Sequence, residues 1–139
     1  MKFCVFGAGA IGSFVGGMVS RGGAEVSLVA RGRHLAAIRT AGLQVVTPTE
    51  NFTAHVPATD KPEDLGIQDV IFLSTKAYSL IVASEAMQPL IGPATAVVSA
   101  QNGIPFWYFY GLGNNLEGHT LQTVDPGGKI ASTIGNHRV

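Results

Sequence analysis

The clearest chemistry in the chain lies near its amino end, in Gly7-Ala8-Gly9-Ala10-Ile11-Gly12. Glycines at the first, third and sixth places of such a run suit a turn that holds a dinucleotide. The first allows the tight turn, the second lets backbone approach a pyrophosphate, and the third lets a helix pack close to a strand. The intervening Ala8, Ala10 and Ile11 add the free amides that open a helix. A lone pattern of this kind is weak, because glycines fall at that spacing by chance. Here it follows an apolar strand (residues 2–6), opens an apolar-periodic helix, and is succeeded by a second strand (residues 25–29), which is the context the motif requires. The end of that second strand selects the cofactor. Sites for NAD or FAD place a carboxylate there, whereas this chain reads Val29-Ala30-Arg31-Gly32-Arg33. A guanidinium pairs with a 2′-phosphate that a carboxylate would repel, so the expected cofactor is NADP(H), with Arg31 selecting it. Arg33 stands equally as a second contact or as a flank of the next helix. Lys76 and Asn102 each follow a core strand, and ligands in open α/β sheets bind beyond those carboxyl ends.

The elements that must position these residues alternate along the chain. Ile11, Phe14, Val15, Met18 and Val19 recur on one helical face, and Gly22-Gly23 ends that helix. A short helix is expected over residues 34–40, closed by Gly42. Two edge strands, 43–47 and 52–56, flank the turn residues around Pro48, and residues 61–64 suggest a helical turn. Residues 69–74 and 95–100 read as core strands, with a helix over 77–87 between them. The aromatic run of residues 104–110 and the glycine-rich stretch 111–128 give no periodic signal. Strand–helix alternation at this spacing predicts an α/β fold, a doubly wound parallel sheet of Rossmann type, filling residues 1–139 as one cofactor-binding domain.

Composition narrows the field. The chain has 139 residues, enough for one domain with a core. Nine basic residues balance nine acidic ones, which gives no electrostatic case for nucleic acid or an anionic membrane as partner. No apolar run reaches membrane-spanning length. A single cysteine, Cys4, allows no internal disulfide, and a cytoplasmic setting follows as the simplest expectation. The histidines at 34, 55, 119 and 137 are scattered, so no metal site is expected. Ser13 has no His–Asp partners for hydrolysis.

Taken together, the glycine run, Ala30-Arg31-Gly32 followed by His34-Leu35, Ala41-Gly42-Leu43, Thr75-Lys76-Ala77 and Gln101-Asn102-Gly103 resemble the ketopantoate reductase family. The resemblance spans residues 1 to about 105. It implies a two-domain enzyme that passes hydride from NADPH to a 2-keto acid, giving a 2-hydroxy acid such as pantoate. It also implies that Arg31 meets the 2′-phosphate and that Lys76 and Asn102 lie near the nicotinamide and the substrate. The family's proton-donating lysine belongs to a helical second domain, which this chain is expected to lack. Residues 104–108 and 124–128 resemble one subgroup of the family, which leaves the substrate open. The alternative is a non-catalytic NADP(H)-binding or sensing module. The aromatic run would be adhesive on a free domain, and a homodimer stays open as the assembly.

Overall fold

A computed structural model describes all residues, Met1–Val139. Its centre is a sheet of five parallel strands in the order β5-β2-β1-β6-β7. These are β1 (Lys2–Phe6), β2 (Glu25–Val29), β5 (Ala58–Thr59), β6 (Val70–Leu73) and β7 (Ala96–Ser99). β1 pairs with β2 on one side and β6 on the other, so the winding direction reverses at β1. Ligand crevices form beyond the carboxyl ends of strands at such a reversal.

The β1 strand shows why the sheet is covered on both faces. Phe3 and Val5 enter a core beneath α1 (Ala10–Arg21) and α2 (Gly32–Ala41), together with Leu35 and Ile38. Cys4 and Phe6 enter a second core beneath α3 (Leu80–Ala86) and α4 (Lys129–Ile134). A strand buried on both faces reads as a continuous apolar run, as Phe3-Cys4-Val5-Phe6 does. Each fully buried Leu or Ile in these cores stabilises the fold by about 1.5–3 kcal/mol. The doubly wound α/β class expected from the alternation is the class observed.

The first helix departs from the periodicity reading. Ile11 and Phe14 are 63% and 46% exposed, and the buried face is instead Gly12, Gly16 and Gly17. The reason is proximity. A Cβ at Gly16 would lie 2.9 Å from Leu28 Cδ2, and one at Gly17 would lie 2.5 Å from Val45 Cγ2. The helix sits too near the sheet for side chains on its inner face, while Val15 and Val19 pack along its flank.

The edge strands appear as an antiparallel ribbon of β3 (Leu43–Val46) and β4 (Asn51–Ala54), each one residue shorter than expected, with β4 starting one residue earlier. Leu43 and Val45 point inward, and Gly42 ends α2 at φ +79°. The two-residue β5 is new, being too short to show any period. The helix expected over 77–87 begins as a single 3-10 turn, Ala77–Ser79, before α3. Leu80, Ala83, Ser84 and Met87, which share one side of it, are all buried.

The silent carboxyl-terminal third contains α4. Asp125 is fully buried, and its carboxylate accepts the amides of Ile130 at 2.7 Å and Ala131 at 3.0 Å. Those are otherwise orphan donors of the first helical turn. The capped helix then buries Ile130 and Ile134 against the α3 side of the sheet. Its aromatic neighbours divide: Phe106 joins that core, whereas Tyr108 and Tyr110 stay about half exposed. No helix is long and apolar enough to cross a membrane.

Candidate functional site

A cleft of about 990 Å³ opens where the winding reverses, beyond the carboxyl ends of β1, β2 and β6. Its floor is Gly7-Ala8-Gly9-Ala10, and its far wall is Ser74-Thr75-Lys76. Gly7 turns the chain at φ +102°, a conformation that side chains disfavour, and its amide and that of Ala8 both bond the Val29 carbonyl at 3.1 Å. The loop is thereby tied to β2. Ser74 ties it to β6, its hydroxyl donating to the Gly7 carbonyl at 2.8 Å.

Three observations make the floor receptive to an anion. The amides of Ala10, Ile11 and Gly12 find no acceptor in the protein, since the first bond of α1 runs from Ser13 to the Gly9 carbonyl. The helix dipole adds a partial positive charge there, and no acidic residue stands in the first turn to neutralise it. Gly9 has no atom within 4 Å of where a Cβ would project. That empty space lets a ligand's phosphates come down onto the backbone. Gly12 serves packing instead, since a Cβ there would strike the Gly7 carbonyl, Ser74 Oγ at 2.5 Å and Val5 Cγ1 at 2.8 Å.

The charged residues of the cleft are of one sign. Arg31 lines it at the β2 end, as the residue preceding α2, and Lys76 lines it at the β6 end. No Asp or Glu lines it. A chain of zero net charge thus places two of its nine basic groups, and no acidic one, where an anion would sit.

The cleft does not gather every residue expected from the sequence. Gly7, Ala8, Gly9, Ala10, Arg31 and Lys76 line it together. Ile11 and Gly12 do not: Ile11 faces solvent and Gly12 faces the sheet. Arg33 also lies outside the lining. Asn102 follows β7 as expected but lines a separate cavity of about 470 Å³, with Tyr78 bordering both spaces.

Ser13, Phe14 and His34 also line the cleft, although the sequence motifs assign none of them to the cofactor. The Ser13 hydroxyl donates to the Ala8 carbonyl at 3.0 Å, so its oxygen is left to accept from His34 Nε2–H at 3.3 Å. The bond joins the first turn of α1 to the first turn of α2. The signal was present, since His34 lies one helical turn from Arg31. Phe14 was hidden by the assumption that apolar helix residues face the core.

Comparisons with known proteins agree with this geometry. The family model described as Ketopantoate reductase PanE/ApbA matches residues 3–105. A 2-dehydropantoate 2-reductase from Mesorhizobium japonicum is 47% identical over the whole of this chain. A crystal structure from Ralstonia solanacearum MolK2, assigned to the ketopantoate reductases, superposes on 99% of the chain with a TM-score of 0.92 at 40% identity. The ternary structure of D-mandelate dehydrogenase with NADH and anilino(oxo)acetate superposes on 76% of it, with a TM-score of 0.70 at 34% identity. The chain spans 43%, 42% and 35% of the lengths of these three proteins. It belongs to the ketopantoate reductase family.

Proposed function

We propose that residues 1–139 form the cofactor-binding domain of an NADP(H)-dependent reductase that converts a 2-keto acid of ketopantoate type into the 2-hydroxy acid. The observation that carries this reading is the cleft itself. Free amides at the start of α1 sit under an open Gly9, and Arg31 without any carboxylate stands at the β2 end. These residues fit NADP(H). The α1 amides would take the pyrophosphate and Arg31 the 2′-phosphate. The similar D-mandelate dehydrogenase is described with NADH, so the choice between the two nicotinamides rests on Arg31. Its oxoacetate ligand supports the 2-keto acid class.

When bound, the reduced nicotinamide supplies the hydride. The chain's own residues bind and polarise. Lys76, exposed at the residue preceding the Ala77–Ser79 turn, places a positive charge beside the cleft. That charge attracts a substrate carboxylate and stabilises the oxyanion that develops as the carbonyl is reduced. Asn102 offers an amide that orients the substrate without yielding a proton. We assign the proton donor to residues of the longer parent polypeptide.

The test is a turnover assay on the parent polypeptide with ketopantoate, following the absorbance of the reduced nicotinamide. NADPH should be consumed in step with hydroxy acid formed, and NADH should serve far less well. Failure to oxidise NADPH with any 2-keto acid would sink the proposal.

A further inference from the structure

The second cavity lies against the cofactor cleft and differs from it in charge. Lys76 lines the cleft, Ala77 lines the second cavity, and Tyr78 borders both, so the two spaces meet across three consecutive residues. About 470 Å³ is within the size range of small-ligand pockets. One wall is Leu80 and Ile81 of α3, and the opposite wall is Phe106 and Trp107 from the aromatic run. No charged residue lines it. The nearest buried carboxylate, Asp125, is consumed by its two α4 amides. Gln101 is likewise spent, donating to the Leu73 carbonyl at 2.8 Å and accepting from Ser99 at 2.6 Å. The polar groups left are those of Asn102, Thr123 and Tyr78, none of which makes a side-chain hydrogen bond in the protein, and the buried indole N–H of Trp107, which finds no partner.

A basic cleft that opens beside an uncharged pocket walled in part by Leu80, Ile81, Phe106 and Trp107 suits a ligand with an anionic head and an apolar tail. We propose that this pocket holds the side chain of the substrate, and that the preferred substrate is a 2-oxo acid with a bulky apolar or aromatic side chain. The inference rests on the reductase reading given above and narrows it. The carboxylate and carbonyl sit at Lys76 and Asn102, and the tail packs between Ile81 and Trp107. A methyl tail would leave most of the apolar wall wet, whereas a benzyl tail would cover it. Each methylene-sized increment in such a pocket is worth about 10-fold or more in discrimination.

Trp107 is the single tryptophan of the chain, so its indole N–H gives one unambiguous cross-peak in a proton–nitrogen spectrum. The chain is titrated, with and without NADP+, with pyruvate, 4-methyl-2-oxopentanoate and phenylpyruvate, which share a head and differ in tail. The dissociation constant is expected to fall at least about tenfold from pyruvate to phenylpyruvate, with the Trp107 cross-peak moving. Thr123 is an exposed lining residue, so Thr123→Phe fills the pocket without entering the core. It should compress the preference to under about twofold. Ile104→Ala, which trims an exposed lining side chain, should reduce it in the same direction and guards against misfolding of the first variant. Equal affinities along the series, an unmoved Trp107 cross-peak, or a preference that survives Thr123→Phe would overturn the inference. NADPH binding is read separately, from the cofactor's own fluorescence. A flat acid series with intact NADPH binding defeats the pocket assignment alone. A steep series without NADPH binding supports the pocket and defeats the cofactor reading.

Discussion

Gly9 and Gly12 belong to one motif, yet a methyl group added to each should fail in opposite ways. At Gly12 the new carbon meets the Gly7 carbonyl, Ser74 Oγ at 2.5 Å and Val5 Cγ1 at 2.8 Å. The first obstacle is backbone, so relief means shifting the turn and weakening the Ser74–Gly7 bond of 2.8 Å. Overpacking of this kind costs about 1–3 kcal/mol, and the lost bond about 1 kcal/mol more. The gain in helix propensity of Ala over Gly returns about 1 kcal/mol. Gly12→Ala should therefore lose about 2 kcal/mol of stability. At Gly9 no atom lies within 4 Å and φ is −74°, which alanine adopts freely. Gly9→Ala should change stability by less than about 0.5 kcal/mol, the usual scale of a substitution that meets nothing. Its methyl projects into the space proposed for the pyrophosphate, and NADPH affinity should fall at least about tenfold. Urea unfolding at unchanged slope gives the first quantity, and titration of cofactor fluorescence gives the second. A Gly12→Ala protein that unfolds at the parent midpoint would refute the packing argument. A Gly9→Ala protein that binds NADPH undiminished would refute the reading of the cleft floor.

Three further expectations concern the scaffold. Asp125→Ala should remove about 1–2 kcal/mol by uncapping α4, seen first as faster hydrogen exchange at Ile130 and Ala131, whose amides it accepts. Unchanged exchange at both amides would contradict this. Glu117 accepts the amides of Gly113 and Gly111, each at 2.8 Å, and these bonds, the Gly113 one foremost, hold its carboxyl below the ordinary 4.5. Because the folded value is the lower one, the clasp is fully present above pH 4.5 and is lost as pH falls through the depressed value. The amide resonances of Gly111 and Gly113 should follow that acid titration together, and Glu117→Gln should abolish it. Burial pushes the Cys4 thiol up from 9.0 to about 12. Here the folded value is the higher one, so stability should decline as pH rises above 9.0 and the unfolded thiol ionises. At neutral pH a thiol reagent should label Cys4 only as fast as the chain unfolds, and immediate labelling of the folded protein would refute its burial.

The parts of the fold that were legible in the sequence are those specified locally. β1, the glycine turn and β2 are contiguous, and each punctuating glycine has a steric reason to be there, such as the positive φ of Gly7 and Gly42. Arg31 and Lys76 were placed by counting from strand ends, and both line the cleft. What was lost depends on approach distances. The inner face of α1 is glycine because the sheet lies so near, so a hydrophobicity count placed Ile11 and Phe14 on the wrong side. β5 exists only because residues 58–59 meet Leu28 and Val29, and two residues carry no periodicity. α4 draws its start from Asp125, outside the helix, and its stability from burial against distant strands, neither of which shows in a glycine-rich stretch. Asn102 lies in a cavity separate from the cleft, and spacing along the chain does not encode that.

The central claim is that this cleft holds NADP(H) and selects it through Arg31. It is tested most directly by titrating the chain with NADPH and with NADH, and by repeating both titrations on Arg31→Ala. NADPH should bind the unmutated chain more tightly by about tenfold or more, the scale of one charge-assisted phosphate contact at an exposed position. Arg31→Ala should erase most of that difference while leaving NADH affinity nearly unchanged. Equal affinities for the two cofactors in the unmutated chain, or a preference that survives the loss of Arg31, would contradict the claim.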